Sequence, residues 1–149
     1  MIEINFVDGT GPVSNFIEFW TWGDWSHVDI KTTRGWLGAR ANGGVQIRPW
    51  NYCTFKKQET RTITLPEEQE QHIMNWFTSQ IGKPYDYMAV AGMPFRKDWR
   101  DDTRWFCSEL VIAGFQQAGI YLLNTDHMNR VSPRDLYLSP HLMAAPTLI

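Results

Sequence analysis

Hydrophobic and polar positions alternate along the first third of the chain. Ile2, Ile4 and Phe6 are spaced as one face of a strand, closed by the turn-forming run Asp8-Gly9-Thr10-Gly11-Pro12. Pro12 suits a first helical turn, and Phe16, Ile17 and Trp20 then give one apolar face before Gly23, so a short helix is predicted. Alternation resumes from Trp25 to Lys31, passes a turn at Thr32-Thr33-Arg34-Gly35 and returns from Trp36 to Ala41. This pattern is a hairpin that carries His27. Val45 to Pro49 and the β-branched run Arg61 to Leu65 predict two further strands, with a loop over Asn51 to Lys57 between them.

The period then changes. Thr64-Leu65-Pro66-Glu67 has the form of a capping box and opens a helix whose apolar stripe is Ile73, Trp76, Phe77 and Ile81. Glu67, Glu68, Gln71 and Gln80 fall on the solvent side, His72 lies beside the stripe, and Gly82 closes the helix. Leu110, Val111, Gly114, Phe115 and Ala118 predict a second helix that stops at Gly119. Ser132-Pro133-Arg134-Asp135 caps a short terminal one. Strands first and helices after give an α+β class: an antiparallel sheet with packed helices, in one domain over residues 1–149.

Composition narrows the function classes. Fourteen basic against sixteen acidic residues leave a formal charge of -2, with no global attraction for phosphate backbones, so nucleic acid is not an expected partner. Between Gly92 and Arg104, basic residues are interleaved with aromatics, but Asp98, Asp101 and Asp102 nearly cancel them, and the stretch is read as a solvated loop. No apolar run approaches the ~18 residues of a membrane span, and the first residues lack the pattern of a signal peptide. An integral membrane segment is not expected, and the chain is expected to be cytoplasmic as synthesised. Cys53 and Cys107 stand in unlike contexts without a C-x-x-C pair, which suggests neither a zinc ribbon nor a disulfide framework, although one disulfide between them stays open. No cofactor is called for.

The chemistry concentrates at Trp105-Phe106-Cys107-Ser108-Glu109-Leu110-Val111, where a thiol falls in the first turn of a helix. Free backbone N–H groups and the helix dipole favour a thiolate there, the nucleophilic form. The plainer alternative is a small buried hydrophobe. A cysteine nucleophile needs a base, and His27 is the histidine placed on a strand of a buried sheet. If the hairpin turns through Thr33-Arg34, Arg40 lies opposite His27, and Asn42 lies two residues further along the same face. Asn42 has an acceptor for an imidazole N–H and Arg40 has none, so Asn42 is the candidate third group.

These residues also carry a resemblance. Gly82-Lys83-Pro84-Tyr85 and, after a spacer, Phe106-Cys107-Ser108-Glu109-Leu110-Val111 resemble the G-x-P-Y and C-S-x-L-V elements of the NlpC/P60 papain-like cysteine hydrolases. Ser26-His27-Val28 precedes the cysteine, the order of the circularly permuted branch, which includes the YiiX/YebB-like hydrolases and the lecithin retinol acyltransferase-like proteins. The resemblance implies Cys107 as nucleophile, His27 as base and Tyr85 as a substrate-pocket residue near the thiol. Permuted relatives often carry an acidic residue where this chain has Arg40, so the third group is Asn42, a residue elsewhere, or none.

The resulting expectation is a cysteine hydrolase of amidase or peptidase type. His27 and Cys107 would form a thiolate-imidazolium pair and a thioester intermediate, and the substrate would be a peptide, amide or acyl compound such as a peptidoglycan peptide. The alternatives are a non-catalytic cell-wall-binding or structural phage module and a lipid acyltransferase or thioesterase. Similarity to small bacteriophage-encoded members, seen in Gly38-Ala39-Arg40 and Gly43 to Pro49, implies association with a virion or release at lysis.

Overall fold

A computed structural model describes residues 1–21, 23–52, 54–92, 103–124 and 131–144, with the side chains of residues 14 and 18–21 excepted. The elements run β1 (Ile2–Asp8), α1 (Pro12–Thr21), β2 (His27–Lys31), β3 (Trp36–Arg40), β4 (Gly44–Arg48), β5 (Lys57–Ile63), α2 (Glu67–Ser79), α3 (Tyr87–Gly92), α4 (Cys107–Gln116), α5 (Pro133–Tyr137) and β6 (Met143–Ala144). The strands form one six-stranded antiparallel sheet in the order β4-β3-β2-β1-β5-β6. The α+β class is as the alternation and helical periods predict.

The register divides the sheet into two unlike faces. Pairing of Phe6 with Val28 and Ile4 with Ile30, and of Ile30 with Leu37, puts these side chains on one face. They are buried in a common core with Ile73 and Phe77 of α2 and Leu110, Val111 and Phe115 of α4. Gly114 lets the two helices approach, since a Cβ there would stand 2.4 Å from the Phe77 ring. The opposite face carries Asn5, His27, Asp29, Gly38, Arg40 and Arg48.

The segment after α2 brings the cysteine helix to the sheet. Gly82 N–H donates to the Val45 carbonyl and Val45 N–H to the Lys83 carbonyl, so the chain runs beside the edge strand β4. Gly44 permits this contact: its φ is +68°, and a Cβ would lie 2.2 Å from the Lys83 carbonyl oxygen. Two residues on, Tyr85 bridges Trp105 in parallel, with Trp105 N–H donating to Pro84 and Asp86 N–H to Trp105. Gln80 accepts from the Trp105 indole N–H at 3.1 Å. This is the last fixed point before α4 begins at Cys107.

Several local expectations are corrected. Thr64 does not cap α2: the N-cap is Pro66 and makes no side-chain cap hydrogen bond. Gln80 is buried rather than solvent-facing, because the Trp105 indole needs an acceptor, whereas Ile81 lies past the helix end and is exposed. The loop expected up to Lys57 ends there, as β5 starts at Lys57, paired with Asp8. The helix α3 and strand β6 had no periodic signal, being only 6 and 2 residues long. The box at Ser132 forms as expected, with Asp135 N–H donating to the Ser132 hydroxyl and Ser132 N–H to the Asp135 carboxylate. Cys53, His127 and most of the charged stretch between Gly92 and Arg104 lie outside the described residues.

Candidate active site

His27 opens β2 and is 6% exposed. Residues two apart on a strand share a face, so its neighbour is Asp29, and the His27 Nε2–H donates to Asp29 Oδ1 at 2.6 Å. With Nε2 committed, Nδ1 is the nitrogen left to accept a proton. The other carboxylate oxygen of Asp29 accepts from the Tyr52 hydroxyl at 2.8 Å, and Arg40 Nη2 stands 3.4 Å away. The Arg40 guanidinium also lies over the Tyr52 ring, 4.5 Å from its centroid. The carboxylate is thus held on both oxygens and is only 1% exposed.

Gly38 makes room for it. A Cβ at that position would sit 2.1 Å from Asp29 Oδ1, the oxygen that bonds His27.

Asn42, anticipated as the partner of the His27 ring, is placed elsewhere. The predicted hairpin register is correct, with Ile30 opposite Leu37 and Lys31 opposite Trp36. Asn42, however, follows the end of β3 in an exposed turn, where its backbone carbonyl accepts from Gln46 Nε2 at 2.8 Å and from Arg48 Nη2. The ring of His27 takes its partner from its own strand. The signal for Asp29 was present in the His-x-Asp spacing, whereas Tyr52 had none, because it reaches Asp29 from a segment beyond β4.

Cys107 is the first residue of α4, is 1% exposed and is a free thiol. The helix is capped by backbone geometry alone: Phe106 is extended and gives no side-chain cap bond, so the first N–H groups of α4 have no side chain acceptor at the cap. The β2–β3 pairing stops at Ile30 and Leu37, and at the His27 end of β2 the backbone of Val28 hydrogen-bonds the Cys107 sulfur. Val28, the residue after His27, is thus a backbone partner of the thiol. The charges of Asp29 and Arg40 are both felt at the sulfur, in opposite senses.

Electrostatics differ from the thiolate-imidazolium expectation. Burial pushes the Cys107 thiol up to about 12, and the backbone bonds from Val28 and Ser108 offset only part of this. Burial also lowers His27, against the pull of the Asp29 charge and with Arg40 adding to the lowering. For Asp29 burial acts upward, but the charge and hydrogen bond of His27, with Arg40 and Arg48, outweigh it and hold the carboxyl below its usual range. The closed site therefore rests as thiol, neutral imidazole and carboxylate. The helix dipole did not decide the thiol, because its effect is within ~2 kcal/mol and complete desolvation exceeds it.

Tyr85 is buried, with its ring edge-on to Phe106 at 6.0 Å. Burial raises its phenol, and the negative charge of an ionised Cys107 raises it further. A cleft of about 180 Å³ opens beside His27, lined by Tyr85, Arg40, Asn42, Arg48 and Ser26, with Val13 and Ile17 of α1. His72 and His141 are exposed. Among the described residues, no group of three or more His, Cys, Asp and Glu side chains is placed to hold a metal ion, and no helix is long and apolar enough to cross a membrane.

No family profile matches the sequence, and no curated protein does. A solved structure does match: the metalloprotein yiiX from Escherichia coli O157:H7, described with the label DUF1105, at a TM-score of 0.76 and 22% identity, over 97% of this chain and 94% of that one. The likeness is one of fold.

Proposed function

We propose that this chain is a cysteine hydrolase of amidase or peptidase type, one permuted NlpC/P60-like domain over residues 1–149, with Cys107 as nucleophile, His27 as base and Asp29 as the orienting group. The observation that carries the reading is the buried His27–Asp29 pair, 2.6 Å apart, on the strand whose next residue hydrogen-bonds the thiol. A histidine whose Nε2–H is fixed by a carboxylate presents Nδ1 as a base in one orientation. The resemblance of the G-x-P-Y and C-S-x-L-V segments, together with the fold shared with yiiX, supports the same assignment. That structure is described as a metalloprotein, whereas among the described residues of this chain no group of three or more His, Cys, Asp and Glu side chains is placed to hold a metal ion.

As the sulfur attacks the acyl carbon, its proton passes to His27 Nδ1, and the carbonyl oxygen becomes an oxyanion. The first N–H groups of α4, which no side chain caps, are the available donors for it. The tetrahedral adduct collapses to a thioester as the leaving amine or alcohol takes the proton from His27. Water, giving a proton to His27, then attacks the thioester, and the sulfur leaves and regains its proton. Asp29 stabilises the imidazolium that forms in both halves. Tyr85 lines the cleft that would receive the acyl group.

The cleft argues against a lipid substrate, since about 180 Å³ with two arginines on its wall is smaller than the ~300 Å³ at which typical ligand sites begin and is unsuited to an alkyl chain. A non-catalytic module is favoured by one observation only, the near-complete burial of the thiol.

The test is mass spectrometry after incubation with p-nitrophenyl acetate. An acetyl adduct should form on Cys107 in the wild type and fail to form in His27→Ala, with circular dichroism confirming that both are folded. Absence of the adduct from folded wild type, or equal adduct formation in His27→Ala, overturns the reading and leaves the binding module.

A further inference from the structure

Tyr52 reaches Asp29 from outside the sheet. It follows β4 in a turn closed by its own N–H, which donates to the Pro49 carbonyl at 3.1 Å. The segment is pinned on both sides: Trp50 meets Trp36 edge-on at 5.0 Å, and Lys56 N–H donates to the Asp8 carbonyl at 3.0 Å. Three neighbours then hold the Tyr52 ring, the Arg40 guanidinium at 4.5 Å from its centroid, the Arg48 guanidinium at 5.5 Å and the Phe55 ring at 5.4 Å. From this fixed ring the hydroxyl donates to Asp29 Oδ2 at 2.8 Å, while Asp29 Oδ1 accepts from His27 Nε2–H at 2.6 Å. At 1% exposure the carboxylate depends on such donors to keep its charge.

We propose that Tyr52 is a positioning residue for proton transfer at His27: its hydroxyl fixes the plane of the Asp29 carboxylate, so that Oδ1 faces the ring, and draws negative charge toward Oδ2, so that Oδ1 pulls less strongly on that ring. The two oxygens share one charge, and a donor on either makes the other a weaker acceptor. A weaker pull leaves the imidazole neutral, and a neutral Nδ1 is the form that receives the thiol proton. Arg40 does not duplicate this. At 3.4 Å from Oδ2 it supplies charge but little direction, whereas a hydroxyl at 2.8 Å is directional. The catalytic consequence rests on the hydrolase reading, but the linkage from Tyr52 through Asp29 to His27 does not.

The linkage is read first by NMR in the wild-type chain. With tyrosine isotopically labelled at Cζ, the Tyr52 signal should move as His27 titrates, because protonation of the ring changes the charge that Asp29 offers the hydroxyl. A Tyr52 signal that stays still through the His27 titration overturns the proposal, whether or not any variant folds. Tyr52→Phe then removes the hydroxyl and keeps the ring beside Arg40, Arg48 and Phe55. The charged and titratable groups that bear on His27 all remain in that variant: Asp29 on its own strand, Arg40 and Arg48 on β3 and β4, Cys107 at the head of α4 and Tyr85 in the cleft. The His27 pKa, followed by its ring proton resonances, should rise by about half a unit or more, which is about threefold in the protonation equilibrium. The acidic limb of acetyl-adduct formation on Cys107 should move upward with it, and the plateau rate should fall about tenfold. A residue that served structure alone would lower the unfolding midpoint and leave the His27 titration in place. Superimposable titrations, or a lower His27 pKa, in folded Tyr52→Phe overturn the proposal. If the wild type forms no adduct, the hydrolase reading fails separately, and the two titrations still decide whether Tyr52 acts on His27.

Discussion

The two faces of the sheet use the same backbone for opposite purposes. On one, Ile4, Phe6, Val28, Ile30 and Leu37 are buried in one core with the apolar residues of α2 and α4, and each large side chain buried there contributes about 1.5–3 kcal/mol. On the other, Asn5, His27, Asp29 and Arg40 are buried or half-buried at a desolvation cost that only mutual hydrogen bonds offset. Stability therefore resides mainly on the first face, and the charged groups felt at the Cys107 sulfur, Asp29 and Arg40, lie on the second. A residue on the apolar face can be exchanged for another of similar volume, whereas Asp29 is tied to a ring, a hydroxyl and a guanidinium at once and has no substitute.

The comparison is broken most sharply at Asp29. Asp29→Asn should lower acyl-enzyme formation about 100-fold or more, because the amide cannot stabilise an imidazolium, while Asn42→Ala should change it less than about threefold. Stopped-flow measurement of p-nitrophenol release checks both, and the reverse order would return the third role to Asn42. Gly38→Ala attacks the same carboxylate indirectly. Its Cβ would displace Asp29 Oδ1, so a rate loss of about tenfold or more is expected, together with destabilisation of about 1–3 kcal/mol from the overpacked strand. On the apolar face, Phe77→Ala should cost about 3–5 kcal/mol in urea unfolding and yet leave the 2.6 Å His27–Asp29 bond intact, visible as an unchanged His27 proton resonance. Coupled loss of both would show that the faces are not independent.

A further effect concerns pH. The folded thiol of Cys107 is raised to about 12, above its unfolded value of ~8.5. The folded state thus keeps a proton that the unfolded chain releases, so this contribution is fully present below pH ~8.5 and falls by about 1.4 kcal/mol per unit up to about pH 12. Cys107→Ala should flatten the stability profile between pH 9 and 11 by about that slope. The same shift predicts that alkylation of Cys107 still rises through pH 9, and a plateau near pH 7 would restore the thiolate-imidazolium pair. At acid pH the sign reverses for Asp29: its depressed pKa stabilises the fold above the unfolded value of ~3.9 and the contribution is lost below it, so Asp29→Asn should weaken the acid-side dependence.

Most of the architecture was legible because alternation and helical period are local. The strand at Ile2, the hairpin register through Thr33-Arg34, the helix at Cys107 and the cap at Ser132 all depend on side chains within a few residues of one another. The exposure of Ile81 and burial of Gln80 were not legible, because the parallel bridge from Tyr85 to Trp105 redirects the chain there. At the candidate site, the placement of Cys107 at a helix start and of His27 on a strand was legible from local spacing, whereas Tyr85 was named through resemblance alone. Asp29 stands two residues from His27 on the same strand, so its relation to the ring is equally local.

By itself, then, the sequence determined which residues share a face, because a strand places side chains two apart on the same side whatever the surrounding fold does. It also determined that the cysteine opens a helix. Only the tertiary structure decided what those side chains experience. It brought Tyr52 and Arg40 onto Asp29, set Val28 against the thiol, and enclosed Cys107 so completely that desolvation outweighs the helix dipole. Position on an element follows from local sterics, whereas the charge state of a group depends on everything packed within several ångströms of it, and that set is assembled from distant parts of the chain.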